Sequence, residues 1–390
     1  VQTVRTVRLG EGGAGLMLKI KENSPAHWAL RVLGAVIIVG VVLYIPTKMG
    51  GSDVGKFADA MVLVVAAMGL NLVLGYTGQI SIGHSAFFGI GAYATAILVK
   101  DHGWSPGWTF YVGAAVAFVV GAIVALPALR IKGIYLALVT LAVAMLFPIL
   151  LRYEKLESLT NGSKGIDSVR YKDLPKWPLL GELKGLEGRA VFSYWLAFLV
   201  LVISYLVCRG IVKSRVGRAL VAIRDNETAA AVMGVNLAAT KTLVFGFSAA
   251  ICALAGSLST MRTGVASPES TNLTLQGSIV FLVAMVIGGA GSLWGPIVGG
   301  MAYFWIDYTT RSWGDEGPLE FLFGWSKTSP ATIIFAILLI VIIFVAPRGL
   351  VGLIRQWSRK VIAIVPEPVG PGAGTAAMVL DTTTPEGENE

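Results

Sequence analysis

Long apolar runs separated by short polar stretches set the frame of this chain. At about 20 residues per bilayer crossing, they predict ten spans, near 28–46, 57–76, 82–99, 108–128, 133–151, 190–208, 240–260, 274–290, 293–308 and 330–346. The runs 274–290 and 293–308 read equally as two helices or one broken helix. The fold class predicted is an all-α polytopic membrane protein. A polar lead (1–27) is expected to be a loosely ordered cytoplasmic tail, and 28–350 the membrane domain. Residues 351–390 end in a Pro-, Gly-, Thr- and Glu-rich stretch and are expected to be a largely disordered cytoplasmic tail. No cleavage pattern precedes the first span, so it is expected to remain as an anchor.

One polar interruption differs from the rest. Lys213–Asn236 reads KSRVGRALVAIRDNETAAAVMGVN. Each Arg at bilayer depth would cost roughly 2.5–3.5 kcal/mol, so this stretch lies outside the lipid. Val216, Ala219, Leu220 and Ile223 recur at helical spacing. Asn226 is placed to cap a second short helix, with Glu227 at the positive end of its dipole and Gly234 as a left-handed stop. Two short helices between two spans suit a docking element for another protein; an amphipathic hairpin lying on the membrane surface is the alternative.

The same stretch carries a family resemblance. Glu227-Thr228-Ala229-Ala230, then Ala231-Val232-Met233 and Gly234, resembles the Glu-x-Ala-Ala-x-x-x-Gly loop of ABC importer permeases. With Ser214-Arg215-Val216-Gly217-Arg218-Ala219 and Ile223-Arg224-Asp225-Asn226 before it, the string is similar to the branched-chain amino acid permeases of the LivM type, over about residues 57–350. The resemblance implies a loop seated in a groove of a cytoplasmic ATPase. The coupling residues would be Arg215, Gly217, Arg218, Ile223, Arg224, Asn226, Glu227, Ala229, Ala230 and Gly234. It also implies two ABC ATPase subunits that bind the ATP, a second permease of the LivH type and an extracytoplasmic solute-binding protein. The chain would sit in the bacterial plasma membrane and import Leu, Ile and Val; urea and short amides stay open as solutes.

A second stretch, Gly69–Tyr93, reads GLNLVLGYTGQISIGHSAFFGIGAY. Six glycines and several polar residues interrupt an apolar run, and non-helical backbone at membrane depth is tolerated only inside protein or beside a water-filled cavity. One reading makes the break line the translocation route, with Asn71, Gln79, Ser81 and His84 facing it. The other lets the glycines bring helices together while the polar groups bond across them. His84 lacks carboxylate or histidine neighbours in sequence, so a hydrogen-bonded structural histidine is expected rather than a metal ligand. The string is similar to the LivM and LivH pattern Gly-x-Asn-Leu-x-x-Gly-x-x-Gly-Gln-x-Ser-x-Gly-His. Offset by 210, Gly78, Gly89, Ala92 and Tyr93 recur as Gly288, Gly299, Ala302 and Tyr303.

Composition narrows the classes. Hydrophobic residues make up 55% and charged residues 14% of 390, against about 25% charged in soluble domains. The net charge of +8 sits mostly between spans, so it reads as anchoring charge and not as a nucleic-acid footprint. With both termini cytoplasmic, Arg130, Lys132, Arg209–Arg224 and Arg348–Lys360 fall inside. The 152–189 loop falls outside despite eight Lys and Arg, which strains the positive-inside rule. Its Thr160–Ile166 string is similar to a segment after the fifth span of the same family. It lacks phosphate-loop spacing, as does the rest of the chain, so ATP hydrolysis is expected from other subunits. Cys208 and Cys252 lie in apolar runs without metal spacing, and no cofactor or metal is expected. An ion-driven carrier would usually keep acids at span centres, whereas Asp59 and Asp307 lie near span ends. A membrane enzyme would need a motif that is missing here.

Overall fold

The computed structural model describes residues 4–7, 17–21, 40, 42–128, 133–167, 169, 185–316, 340–341, 344, 346 and 349–365. Contacts divide the chain into a unit of residues 41–355 and a second unit pairing 1–40 with 356–390. The larger unit is helical: α1 (Gly51–Thr77), α2 (His84–Lys100), α3 (Pro106–Ala128), α4 (Ile134–Leu151), α5 (Gly185–Lys213), α6 (Arg215–Asp225), α7 (Glu227–Val232), α8 (Leu237–Thr263), α9 (Leu275–Gly288), α10 (Gly295–Glu316) and α11 (Gly349–Val361), whose last residues pass into the second unit.

Among the described residues, four helices are long and apolar enough to cross a membrane: α1, α3, α5 and α8. A fifth candidate is α4, which bends by 65° into the short helical segment ending at Thr160. The apolar windows of α1 and α8 are 83% and 67% buried, against 33% for α3 and α5. The first pair is therefore the core, while α3 and α5 turn residues such as Ile123 and Leu206 outward, as lipid contact requires. Small residues make the core close: a Cβ on Gly91 would fall on the Ala253 carbonyl, and one on Gly256 on the Phe88 carbonyl. With little hydrophobic drive between helices in lipid, this backbone approach is what packing relies on. Ser257 Oγ adds a bond to the Gly91 carbonyl, 3.0 Å away.

The runs at 274–290 and 293–308 are two helices, α9 and α10, separated by a break at 289–294 and packed against each other. The predicted spans 28–46 and 330–346 fall mostly outside the described residues.

In the second unit the described residues are 4–7, 17–21 and 40 of the first stretch and 356–365 of the last, and most of both expected tails lies outside them. The unit's three-stranded sheet has the order β1 (Val4–Val7), β2 (Met17–Lys21), β3 (Ile362–Val365). β1 pairs antiparallel with β2 (Val4 opposite Ile20), and β2 parallel with β3 (Leu18 opposite Ile362). Short runs rich in Val and Ile suit strands.

Candidate coupling surface and helix junction

The polar stretch folds as predicted locally, and three side chains close its helix starts. Ser214 Oγ accepts from Val216 N at 3.1 Å. Asn226 Oδ1 accepts from Ala229 N and Asn236 Oδ1 from Ala239 N, both at 3.0 Å. Each bond satisfies an N–H that a helix N-terminus leaves orphaned. Gly234 takes φ 85°, the left-handed backbone that lets the chain turn back toward α8.

The faces of this hairpin divide the predicted residues into three groups. Gly217, Ile223 and Ala230 are buried with Leu220 against the domain, so they pack and present nothing outward. Arg215, Arg218, Asn226, Ala229 and Gly234 are exposed. Arg224 and Glu227 reach back into the domain. Arg224 Nη1 donates to the Gly75 carbonyl at the end of α1, 3.1 Å away. Glu227 forms an ion pair with Lys241 near the start of α8, whose side chain is only 4% exposed.

Two features escaped the sequence reading. Val232 and Met233, each 83% exposed, form an apolar tip at the end of the hairpin's second helix, outside the stripe that periodicity singles out. Lys241 is the other. A lysine at the edge of an apolar run reads as anchoring charge, and nothing in sequence pairs it with a glutamate 14 residues earlier.

Beneath the hairpin lies the glycine-rich break. α1 ends at Thr77, the backbone doubles back through 78–83, and α2 starts at His84, level with Gly69 of α1 and Ser248 of α8. From Thr77 to that level is about 12 Å of helix rise, so α2 begins deep inside the protein. A buried helix start has N–H groups to satisfy, and three other helices supply the partners. Thr140 Oγ1 of α4 accepts from Ile82 N at 3.0 Å, and Ser278 Oγ of α9 accepts from Ser85 N at 2.9 Å. His84 Nε2 lies 2.7 Å from Ser248 Oγ, which donates to the Gly69 carbonyl at 2.5 Å. Ser248 thus spends its proton on Gly69, and His84 Nε2–H donates to it. Nδ1 then accepts from Ser81 Oγ, 3.0 Å away.

Asn71 performs a similar task at the second break. Its Nδ2 donates to the Ser292 carbonyl and its Oδ1 accepts from Gly291 N, both at 2.9 Å. The two breaks therefore adjoin, and the helices that follow them start 211 positions apart, at His84 and Gly295, one residue off the sequence offset of 210. Of the four residues read as facing a route, Asn71, Ser81 and His84 are buried; Asn71 and His84 are bonded across helices, and Ser81 is bonded locally to His84. That geometry fits the packing alternative, because extended backbone at depth consumes nearby polar side chains. Gln79 differs: it lines a cleft of about 260 Å³ with Gly133, Leu136, Asn226 and Glu227.

At the far end of α8 the loops after α4 and α8 meet. Ile166 and Ala266 form an antiparallel bridge. Ion pairs join Arg152 to Glu269 (3.4 Å) and Lys100 to Asp167 (3.0 Å). The bond from Lys100 holds the Asp167 carboxyl below its ordinary range. Here Ser259, Thr260, Thr271 and Asn272 border a second cleft, of about 320 Å³. The hairpin and the 152–169 loop thus occupy opposite ends of the helices, as the predicted topology requires.

Residues 55–347 match the family described as branched-chain amino acid transport system, permease component. The chain is 30% identical over 281 residues to the high-affinity branched-chain amino acid transport system permease protein LivM of Escherichia coli (strain K12), covering 68% of this chain and 65% of that protein. Against LivM of Salmonella typhimurium the identity is 31% over 287 residues, with the same coverage. The corresponding LivH protein of Escherichia coli is 26% identical over 295 residues, or 73% of this chain and 90% of that protein. The match spans a little under two thirds of the length of the LivM relatives. No solved structure matches the chain.

Proposed function

The chain belongs to the family of branched-chain amino acid transport permeases, and we propose on that premise that it is the membrane-spanning permease subunit of an ABC importer for Leu, Ile and Val. It is a multi-pass protein of the bacterial cell membrane, with four long apolar helices among the described residues. The observation that carries the functional reading is the hairpin α6–α7. It is capped at both helix starts, pinned to the domain by Arg224 and Glu227, and tipped by exposed Val232 and Met233. A rigid knob with an apolar end, fixed to the core helices, suits a cytoplasmic ATPase groove.

In this reading ATP binding closes a pair of ATPase subunits, and their closure displaces the two hairpins of a paired permease assembly. The route then switches between outward and inward access. The second permease is of the LivH type, and a solute-binding protein delivers the amino acid at the end that carries the Arg152–Glu269 pair. Gln79 borders the inner exit, while Asn71, Ser81 and His84 brace the break beside it.

Reconstitution tests this directly. Vesicles holding the chain with a LivH-type permease and the ATPases should accumulate radiolabelled leucine only with ATP inside reach of the ATPases and with binding protein present. Uptake that survives ATP depletion and collapses with an uncoupler would refute the reading. Uptake of urea without leucine would refute the solute alone.

A further inference from the structure

The sequence motif treats Arg224 and Glu227 as part of a face turned toward a partner, yet Glu227 points inward to Lys241, and Arg224, 40% exposed and paired outward with Asp225, keeps one nitrogen on the core. Arg224 lies between the two breaks. Its Nη1 donates to the Gly75 carbonyl at 3.1 Å, and a Cβ added to Gly291 would come within 3.0 Å of the same nitrogen. Gly291 is in turn held by Asn71. The guanidinium therefore joins the hairpin to the point where the end of α1 meets the α9–α10 break. Glu227 reaches the other core helix through Lys241.

Lys241 sits about two turns from Ser248 on α8. Beyond Ser248, α8 is bonded along its length: Cys252 Sγ donates to the His84 carbonyl at 3.2 Å, Ser257 to the Gly91 carbonyl, and Arg262 pairs with Asp59 of α1. These bonds form a continuous set of contacts from Lys241 along α8 to the junction at His84 and on to the far end of α1. A buried ammonium is costly to keep without its partner, so the Glu227 carboxylate and Lys241 move as one body.

We propose that Lys241 and Arg224 are the positioning residues that carry hairpin displacement into the core, Lys241 through the Glu227 ion pair to α8 and Arg224 through Gly75 to the paired breaks. The inference rests on the ATPase-docking reading of the hairpin and names the joint behind it. Neither side chain touches solute or nucleotide; each acts through the helix it holds.

The test uses the reconstituted complex and measures ATP hydrolysed per leucine imported. Lys241→Met and Arg224→Met should each raise that ratio by roughly tenfold or more, the range of ordinary coupling energies, while the ATPases still co-purify with the chain. Exchanging the charges in Glu227→Lys/Lys241→Glu should bring the ratio back most of the way, which ties the loss to the ion pair; a structural loss is told apart because it would lower thermal stability in parallel with coupling. If Lys241→Met fails to insert, the exchange variant decides: recovery of insertion and coupling together supports the tether. A folded exchange variant with coupling as poor as Glu227→Lys alone overturns it, as does a parental ratio in Lys241→Met. Failure of the docking reading is seen separately, as loss of ATPase co-purification by the unaltered chain.

Discussion

Replacing His84 by leucine separates a bracing role from a route-lining one. The imidazole makes two side-chain bonds, to Ser81 Oγ at 3.0 Å and Ser248 Oγ at 2.7 Å, and is 1% exposed. The interhelical bond to Ser248 contributes about 0.6 kcal/mol, the average for membrane proteins, and with the local bond to Ser81 the two contribute roughly 1 kcal/mol. Leucine leaves Ser248 donating to Gly69 but strips Ser81, also 1% exposed, of its acceptor. An orphaned buried hydroxyl costs about 1–3 kcal/mol. The sum is roughly 2–4 kcal/mol, a shift of about thirtyfold or more in the folded-to-unfolded ratio. His84→Gln, whose amide reaches the Nε2 position, should keep the Ser248 bond and lose about half as much. Equilibrium unfolding in bicelles by steric trapping measures both. A His84→Leu protein within about 0.5 kcal/mol of the parent, yet unable to import, would refute the bracing argument and restore His84 to the route.

Further outcomes follow from other contacts. Gly256→Leu puts a side chain where the Phe88 carbonyl lies, so it should separate α2 from α8 and cost several kcal/mol; thermal unfolding in detergent should show a lower midpoint, and an unchanged one would contradict the crossing. Asn71→Leu removes both bonds that hold 291–292 and should speed hydrogen exchange at Gly291 while leaving Gly91 protected. Because Lys100 lowers the Asp167 carboxyl when folded, that pair stabilises above the ordinary carboxylate value of about 3.9. Its contribution is lost as pH falls through the lower folded value. Asp167→Asn should flatten that acid limb only slightly, since the pair is exposed and screened; a large change in pH dependence would mean the loop is less open than described.

Much of the fold could be read from hydropathy alone, because α1, α3, α5 and α8 are long apolar runs and length against the bilayer is a strong constraint. The hairpin was legible for a different reason: Asn226 and Gly234 carry local capping and stop chemistry that needs no tertiary context. Facing was not. Ala230 looks like a surface motif residue and is buried, while Val232 and Met233 look incidental and form the tip. Which polar residue meets which across helices depends on depth and rotation, so the Glu227–Lys241 pair and the clamp from Asn71 to Ser292, 221 positions apart, had no signature along the chain. The terminal strands went unseen because β3 finds its partner β2 far away in sequence.

The most direct test of the docking claim is a disulfide cross-link from position 233. Cys208 and Cys252 are buried, so Met233→Cys adds an exposed thiol to the tip. Paired with single cysteines around the groove of the co-expressed ATPase, it should cross-link in native membranes, with a yield that changes when ATP binds. No cross-link to any ATPase position, or labelling of that thiol by an impermeant maleimide from outside intact cells, would contradict it.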